Sequence, residues 1–175
     1  MNADGDLQAK LREVVDRQEI HQALMRYSRG VDRQQEAMVN SVFDVGGIND
    51  GGTPLPATHL AKRVADIEPL PRMHFIGNVL IELEGDTAYA ETYFIAYSSS
   101  TRDGKPYTRT RAGRWLDRFE RRADGWKIAN RRVVDEWARL DEVRELPAGL
   151  GGHRGVSGSG DAVFQMRELL KEGPQ

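Results

Sequence analysis

The chain has 175 residues, of which 39% are hydrophobic and 30% charged, with a net charge of −2 and no cysteine. That length and apolar content suit one domain with a single core plus an extension, and the charge balance lacks the basic footprint that nucleic-acid binding needs. The absence of cysteine excludes disulfides, thiolate catalysis and cysteine-ligated zinc, and no apolar run approaches the roughly 20 residues that span a bilayer.

Residues 1–10 are polar and acidic, without the basic start and apolar stretch of a secretory signal, which leads us to expect a cytoplasmic protein. From 7 to 31 the apolar residues Leu7, Leu11, Val14, Val15, Ile20, Leu24, Tyr27 and Val31 follow helical spacing. Asp16 followed by Glu19 reads as a capping box, which predicts two helices jointed near Asp16. Gly30 suits the end of the second. Ser41–Val45 reads as a short strand, and the glycines at 46, 47, 51 and 52 with Pro54 read as a loop. Leu60, Val64 and Ile67 predict a helix over 56–68, ended by Pro69 and Pro71.

At Met73 the period changes to two. Four strands are predicted, at 73–83, 86–99, 107–121 and 125–138, joined by short Gly- and Asp-bearing turns as consecutive antiparallel hairpins require. Long strands in sequential hairpins twist and curl, and helices ahead of a run of strands are the α+β signature. The arginines at 109, 111, 114, 118, 121, 122, 131 and 132 are matched by Asp117, Glu120, Asp124, Asp135 and Glu136, which reads as a solvated, salt-bridged face. Six of the twelve residues from Gly149 to Gly160 are glycine, a flexible linker that is expected to be mobile unless tied to a neighbouring surface. Residues 161–171 suit a short amphipathic helix. The predicted organisation is a domain over 1–146 and an extension over 147–175.

Four histidines allow each to be weighed. His21 and His59 sit on helices and read as surface residues, and His153 lies in the glycine-rich stretch. His74 opens a strand, with Ile76, Asn78 and Leu80 expected on its face. It is either a rim histidine satisfied by a carbonyl or a base. Asp32 ends the first long helix, where the helix dipole disfavours a carboxylate. A cation or a hydrogen-bond donor must hold it if it is more than a turn residue.

The stretch Tyr27-Ser-Arg-Gly-Val-Asp32-Arg33 resembles the end of the first long helix in the SnoaL-like branch of the nuclear transport factor 2 like superfamily. Four later runs resemble its successive strands in order: Met73-His-Phe-Ile-Gly-Asn78, Gly85-Asp-Thr-Ala-Tyr-Ala-Glu91, Gly113-Arg-Trp-Leu-Asp-Arg-Phe119 and Asp124-Gly-Trp-Lys-Ile128. Within that branch the chain looks closest to scytalone dehydratase, bile acid 7α-dehydratase and hexachlorocyclohexane dehydrochlorinase. The resemblance implies a cone-shaped antiparallel sheet wrapped around the helices, a deep pocket for a small hydrophobic molecule, no cofactor and no metal, and a homo-oligomer, trimer or dimer. It places Asp32 and His74 on a catalytic Asp–His dyad and Tyr27 on a catalytic position. It puts Arg131 on a pocket arginine, and Tyr97, Asn78 and Trp115 in the substrate pocket. Departures are Tyr97 where the dehydratases carry a second His or an Asp, and Gly113 and Trp115 where scytalone dehydratase carries Ser and Asn. The expected activity is a cofactor-independent dehydratase-like lyase. An isomerase, a polyketide cyclase or a non-catalytic binding module on the same scaffold are the alternatives.

Overall fold

The structure, a computed structural model, describes residues 3–143 and 155–169. The first helix, α1 (Ala3–Asp32), is continuous through Asp16. The expected joint is absent because the Asp16 carboxylate accepts from the Arg121 guanidinium at 2.6 and 2.7 Å and from the Trp126 indole N–H at 3.0 Å. A side chain engaged in tertiary bonds does not compete for its own backbone. Gly30 does not end the helix either. It lies against Val39, whose Cγ2 would stand 2.9 Å from any Cβ added there, so its service is close approach of the next helix. The turn is made by Gln34 at a φ of 52°.

That next helix, α2 (Glu36–Val42), runs straight into β1 (Phe43–Asp50), which replaces most of the predicted loop. Then come β2 (Pro54–Pro56), α3 (Ala57–Asp66) and four long strands: β3 (Arg72–Glu84), β4 (Thr87–Arg102), β5 (Lys105–Arg122) and β6 (Gly125–Glu142). The sheet order is β2-β1-β6-β5-β4-β3, so the predicted meander β3 to β6 is present in sequence. The sheet is mixed, because β1 joins β6 in parallel. It is curved and unclosed, and the fold is α+β.

Ile20, Ala23, Leu24 and Tyr27 of α1 pack with Phe94, Trp115, Phe119, Trp126 and Ile128 of the sheet to form the core. Register slips help set which residues face it. Between Ile76 and Val79 the β3 register slips against β4, adding one residue on β3 and reversing the pleat beyond it. The inward positions pass to Val79, Ile81 and Leu83, which pack on the core. Asn78 and Leu80 are thereby turned outward. A second slip between Ala112 and Gly113 brings β6 so close that a Cβ at Gly113 would lie 2.0 Å from the Val134 carbonyl oxygen. Only glycine fits there.

After the undescribed residues 144–154 the chain returns to the end of α1. The Ser157 hydroxyl donates to the Leu70 carbonyl at 3.0 Å, and the Gly158 N–H donates to the Arg33 carbonyl at 3.2 Å. A short 3₁₀ turn (Gly158–Gly160) leads into α4 (Ala162–Leu169). The expected mobility of the linker therefore does not extend to residues 155–160, and residues 147–154 lie outside the described residues.

Candidate active site

The last turn of α1 and the first residues of β3 meet at Asp32 and His74. The expected donors for Asp32 are both supplied by His74: its backbone N–H reaches Oδ2 at 2.8 Å, and its ring Nδ1 lies 2.6 Å from Oδ1. An ionised carboxylate only accepts, so this contact calls for a proton on Nδ1. Both side chains are largely enclosed, with 11% and 16% of their surface exposed.

A cavity of about 280 Å³ opens beside the pair. One helix face lines it, with Met25, Ser28, Arg29, Asp32 and Arg33 recurring at helical spacing, and His74 of β3 and Val163 of α4 complete the wall. On the sheet side, His74 faces the Trp115 ring at 5.9 Å. Trp115 stacks on Phe94 and meets Tyr27 edge-on, each at 5.1 Å between centroids. Burial pushes the Tyr27 phenol above its ordinary pKa, opposed in part by the Arg131 charge, so the phenol is protonated at neutral pH and is a donor.

Arg131 lies deeper than a pocket residue would. It has no side-chain exposure, forms a bidentate pair with Asp117 at 2.7 and 2.6 Å, and stacks its guanidinium 4.1 Å from the Tyr27 ring and 4.2 Å from that of Trp115. It supports the two rings from behind. Tyr97 and Asn78 are not brought to His74. Tyr97 pairs with Met73 and Thr110 on the outer face, where it is exposed, and Asn78 is exposed by the bulge. The β4 residue paired with His74 on the inner face is Ala96. His59 is exposed and His21 partly so, while His153 lies outside the described residues. Among the described residues, no group of three or more His, Asp or Glu side chains is placed to hold a metal, and no helix is long and apolar enough to cross a membrane.

Sequence reasoning missed Arg29 and the docking of α4, while the helix itself, expected over 161–171, is present at Ala162–Leu169. Arg29 stands three residues before Asp32 on the same helix face, a spacing that was available. The docking of α4 was not, since it depends on a glycine-rich return over more than a hundred residues. Asp161 fixes that docking. It accepts from the Val163 and Val156 N–H groups at 3.1 and 3.3 Å and pairs with Arg33 at 3.2 Å. The Val163 amide, with Val156 and Arg33, holds the Asp161 carboxyl below its ordinary pKa against the opposing effect of burial. A lowered folded pKa means that this contribution is complete above the usual carboxylate range and fades as the pH falls through the folded value. Asp161→Ala is expected to cost about 1 kcal/mol of local stability. Hydrogen exchange over 155–169 should rise roughly fivefold in consequence, and unchanged exchange would show that the docking has another cause.

The SnoaL-like domain profile matches residues 12–132. The uncharacterised protein Rv2910c of Mycobacterium tuberculosis is 30% identical over 129 residues, covering 68% of this chain and 84% of that one. Among solved structures, an NTF2-like protein with a cystatin-like fold from Novosphingobium aromaticivorans matches with a TM-score of 0.60 at 25% identity, covering 76% of this chain and 90% of that one. Hexachlorocyclohexane dehydrochlorinase LinA-type3 from Novosphingobium barchaimii matches with a TM-score of 0.66 at 16% identity, over 83% of this chain and 99% of that one.

Proposed function

The chain belongs to the SnoaL-like domain family, and from that premise we propose that it is a cofactor-independent, dehydratase-like lyase acting on a small hydrophobic, cyclic, hydroxylated molecule. The observation that carries this reading is the Asp32–His74 pair at the edge of a cavity. Asp32 fixes the imidazole in the tautomer whose Nε2 accepts a proton, and its charge stabilises the imidazolium as it forms. Nε2 takes the proton from a carbon next to an activating group. The C–H electron pair becomes the new C=C bond, and the C–O bond breaks. The departing hydroxide takes the Tyr27 phenol proton and leaves as water. The imidazolium then returns its proton to the phenolate, which restores both residues. Met25 and Val163 supply the apolar wall against which a ring packs, and Trp115 with Phe94 closes the core behind His74.

A second reading is an isomerase. It is favoured by Ala96, which gives the inner face beside His74 no second acid, and by the burial of Tyr27. A single base that removes and returns a proton needs neither. Incubating the protein with a panel of hydroxylated steroids and polyketide-like aromatics, with His74→Ala as control, separates the two by mass. Loss of water marks elimination and an isobaric product marks isomerisation. No change in any compound would favour a binding module.

The outer face of the sheet supports a homo-oligomer. Phe75, Met73, Tyr93 and Trp137 are exposed there, Phe75 at 61% and Trp137 at 51%, beside the ion-paired Arg114. Aromatics with arginine are what interfaces concentrate. Of the two candidate valines, Val133 packs on the core, whereas Val134 pairs with Arg114 on the outer face. A trimer is expected ahead of a dimer. Phe75→Asp or Trp137→Asp should lower the assembly state by one or more protomers in light scattering, because each buries an unpaired charge. A wild-type protein that is monomeric at micromolar concentration contradicts this.

A further inference from the structure

The cavity beside the dyad contains a cationic group that the proton-transfer scheme does not use. Arg29 lines it, and the Nε and Nη2 atoms of its guanidinium are shut off from solvent without a hydrogen-bond acceptor among the described residues. Enclosed N–H donors of a cation are costly to leave unmade. The nearby anions are already engaged. Both oxygens of Asp32 bond to His74, and Asp161 bonds to Arg33 and to two backbone amides. Arg72 adds to the imbalance: it feels the Asp32 charge, and its own Nε is likewise enclosed without an acceptor. The Phe164 ring lies 5.9 Å from the Arg29 guanidinium, so α4 covers it with an apolar roof. Met25 and Val163 supply the apolar walls.

We propose that Arg29 binds a carboxylate, and that the molecule taken into this cavity is a small cyclic acid whose ring lies against Met25 and Val163. This deepens the lyase reading by naming the anionic handle of its substrate, and it rests on that reading only for the word substrate. A planar fork of N–H donors matches a carboxylate. Fixing the acid at Arg29, three residues before Asp32, sets the ring next to His74.

Binding of benzoate and of its neutral isostere benzamide to the full-length protein, measured by calorimetry near pH 8, tests this without turnover. Benzoate is expected to bind about tenfold tighter or more, the gain of a charge-assisted over a neutral hydrogen bond. Arg29→Gln should bring the two within about twofold, and Arg29→Lys should retain part of the preference. Equal affinities in the wild type, no binding of benzoate, or a preference that survives Arg29→Gln would overturn the proposal. If Arg29→Gln fails to fold, Val163→Trp, which fills the cavity from α4, must abolish benzoate binding, and binding that persists there overturns the proposal as well. Because benzoate binding is read without turnover, an inactive dyad and a missing carboxylate site give different results.

Discussion

Replacing His74 by alanine is expected to lower kcat/KM for the proposed elimination about 10⁴-fold, the full worth of a positioned general base. Asp32→Asn should cost a comparable factor by a different route. The carboxylate accepts from the ring at Oδ1 and from the backbone N–H of the same residue at Oδ2. An asparagine can keep one of these contacts but presents an NH₂ to the other. If that NH₂ meets the ring, Nδ1 becomes the acceptor, the proton moves to Nε2, and the base is lost although the shape is kept. Neither residue belongs to the hydrophobic core, so thermal melts of both variants should stay close to wild type. Near wild-type turnover in His74→Ala, once a substrate is found, would remove the mechanism.

The largest loss of stability is expected at Asp117→Ala. Asp117 and Arg131 are fully buried and bonded at 2.7 and 2.6 Å. Burial pushes the Asp117 carboxyl up while the Arg131 charge opposes it. Removing the carboxylate leaves a guanidinium in the core with one anionic partner fewer, and its Nη1 already lacks an acceptor. Breaking such a pair costs about 3–5 kcal/mol, which for a domain of this size lowers the melting temperature by roughly 10 °C. The double variant Asp117→Leu with Arg131→Met should recover much of that loss, because a buried ion pair and an apolar pair of similar volume differ little. It should still impair the site, since Arg131 props the Tyr27 and Trp115 rings. A melting temperature unchanged in Asp117→Ala would mean that the pair is not closed in solution.

The parts of the fold legible in the sequence were those set by local pattern. The period-two runs from Met73 to Trp137 and the tight turns between them predicted β3 to β6 in order. Asp32 at a helix end advertised its need for a donor, and His74 supplied it. What was missed depends on contacts between distant segments. Nothing local announces that Asp16 will serve Arg121 and Trp126 rather than cap a helix, or that β1 will pair in parallel with β6. The slip after Ile76 is one added residue, yet it moved Asn78 from the expected pocket face to the exposed face. Tyr97 was lost to the site for a simpler reason: His74 and Ala96 are paired, so the pleat sends Tyr97 to the other side. Arg131 was placed on the correct face but at the wrong depth, because only the packed structure shows Tyr27 and Trp115 lying over it.

His74 can act as the base only if Asp32 holds it with its proton on Nδ1, and nitrogen-15 NMR of the histidine rings reads that tautomer without any substrate. Near pH 8, where an ordinary imidazole is neutral, His74 is expected to show a protonated Nδ1 whose proton is strongly deshielded by the short contact to Asp32. Its Nε2 should resonate as an unprotonated nitrogen, and both signatures should disappear in Asp32→Asn. A His74 that carries its proton on Nε2 in the wild-type protein would contradict the proposed base.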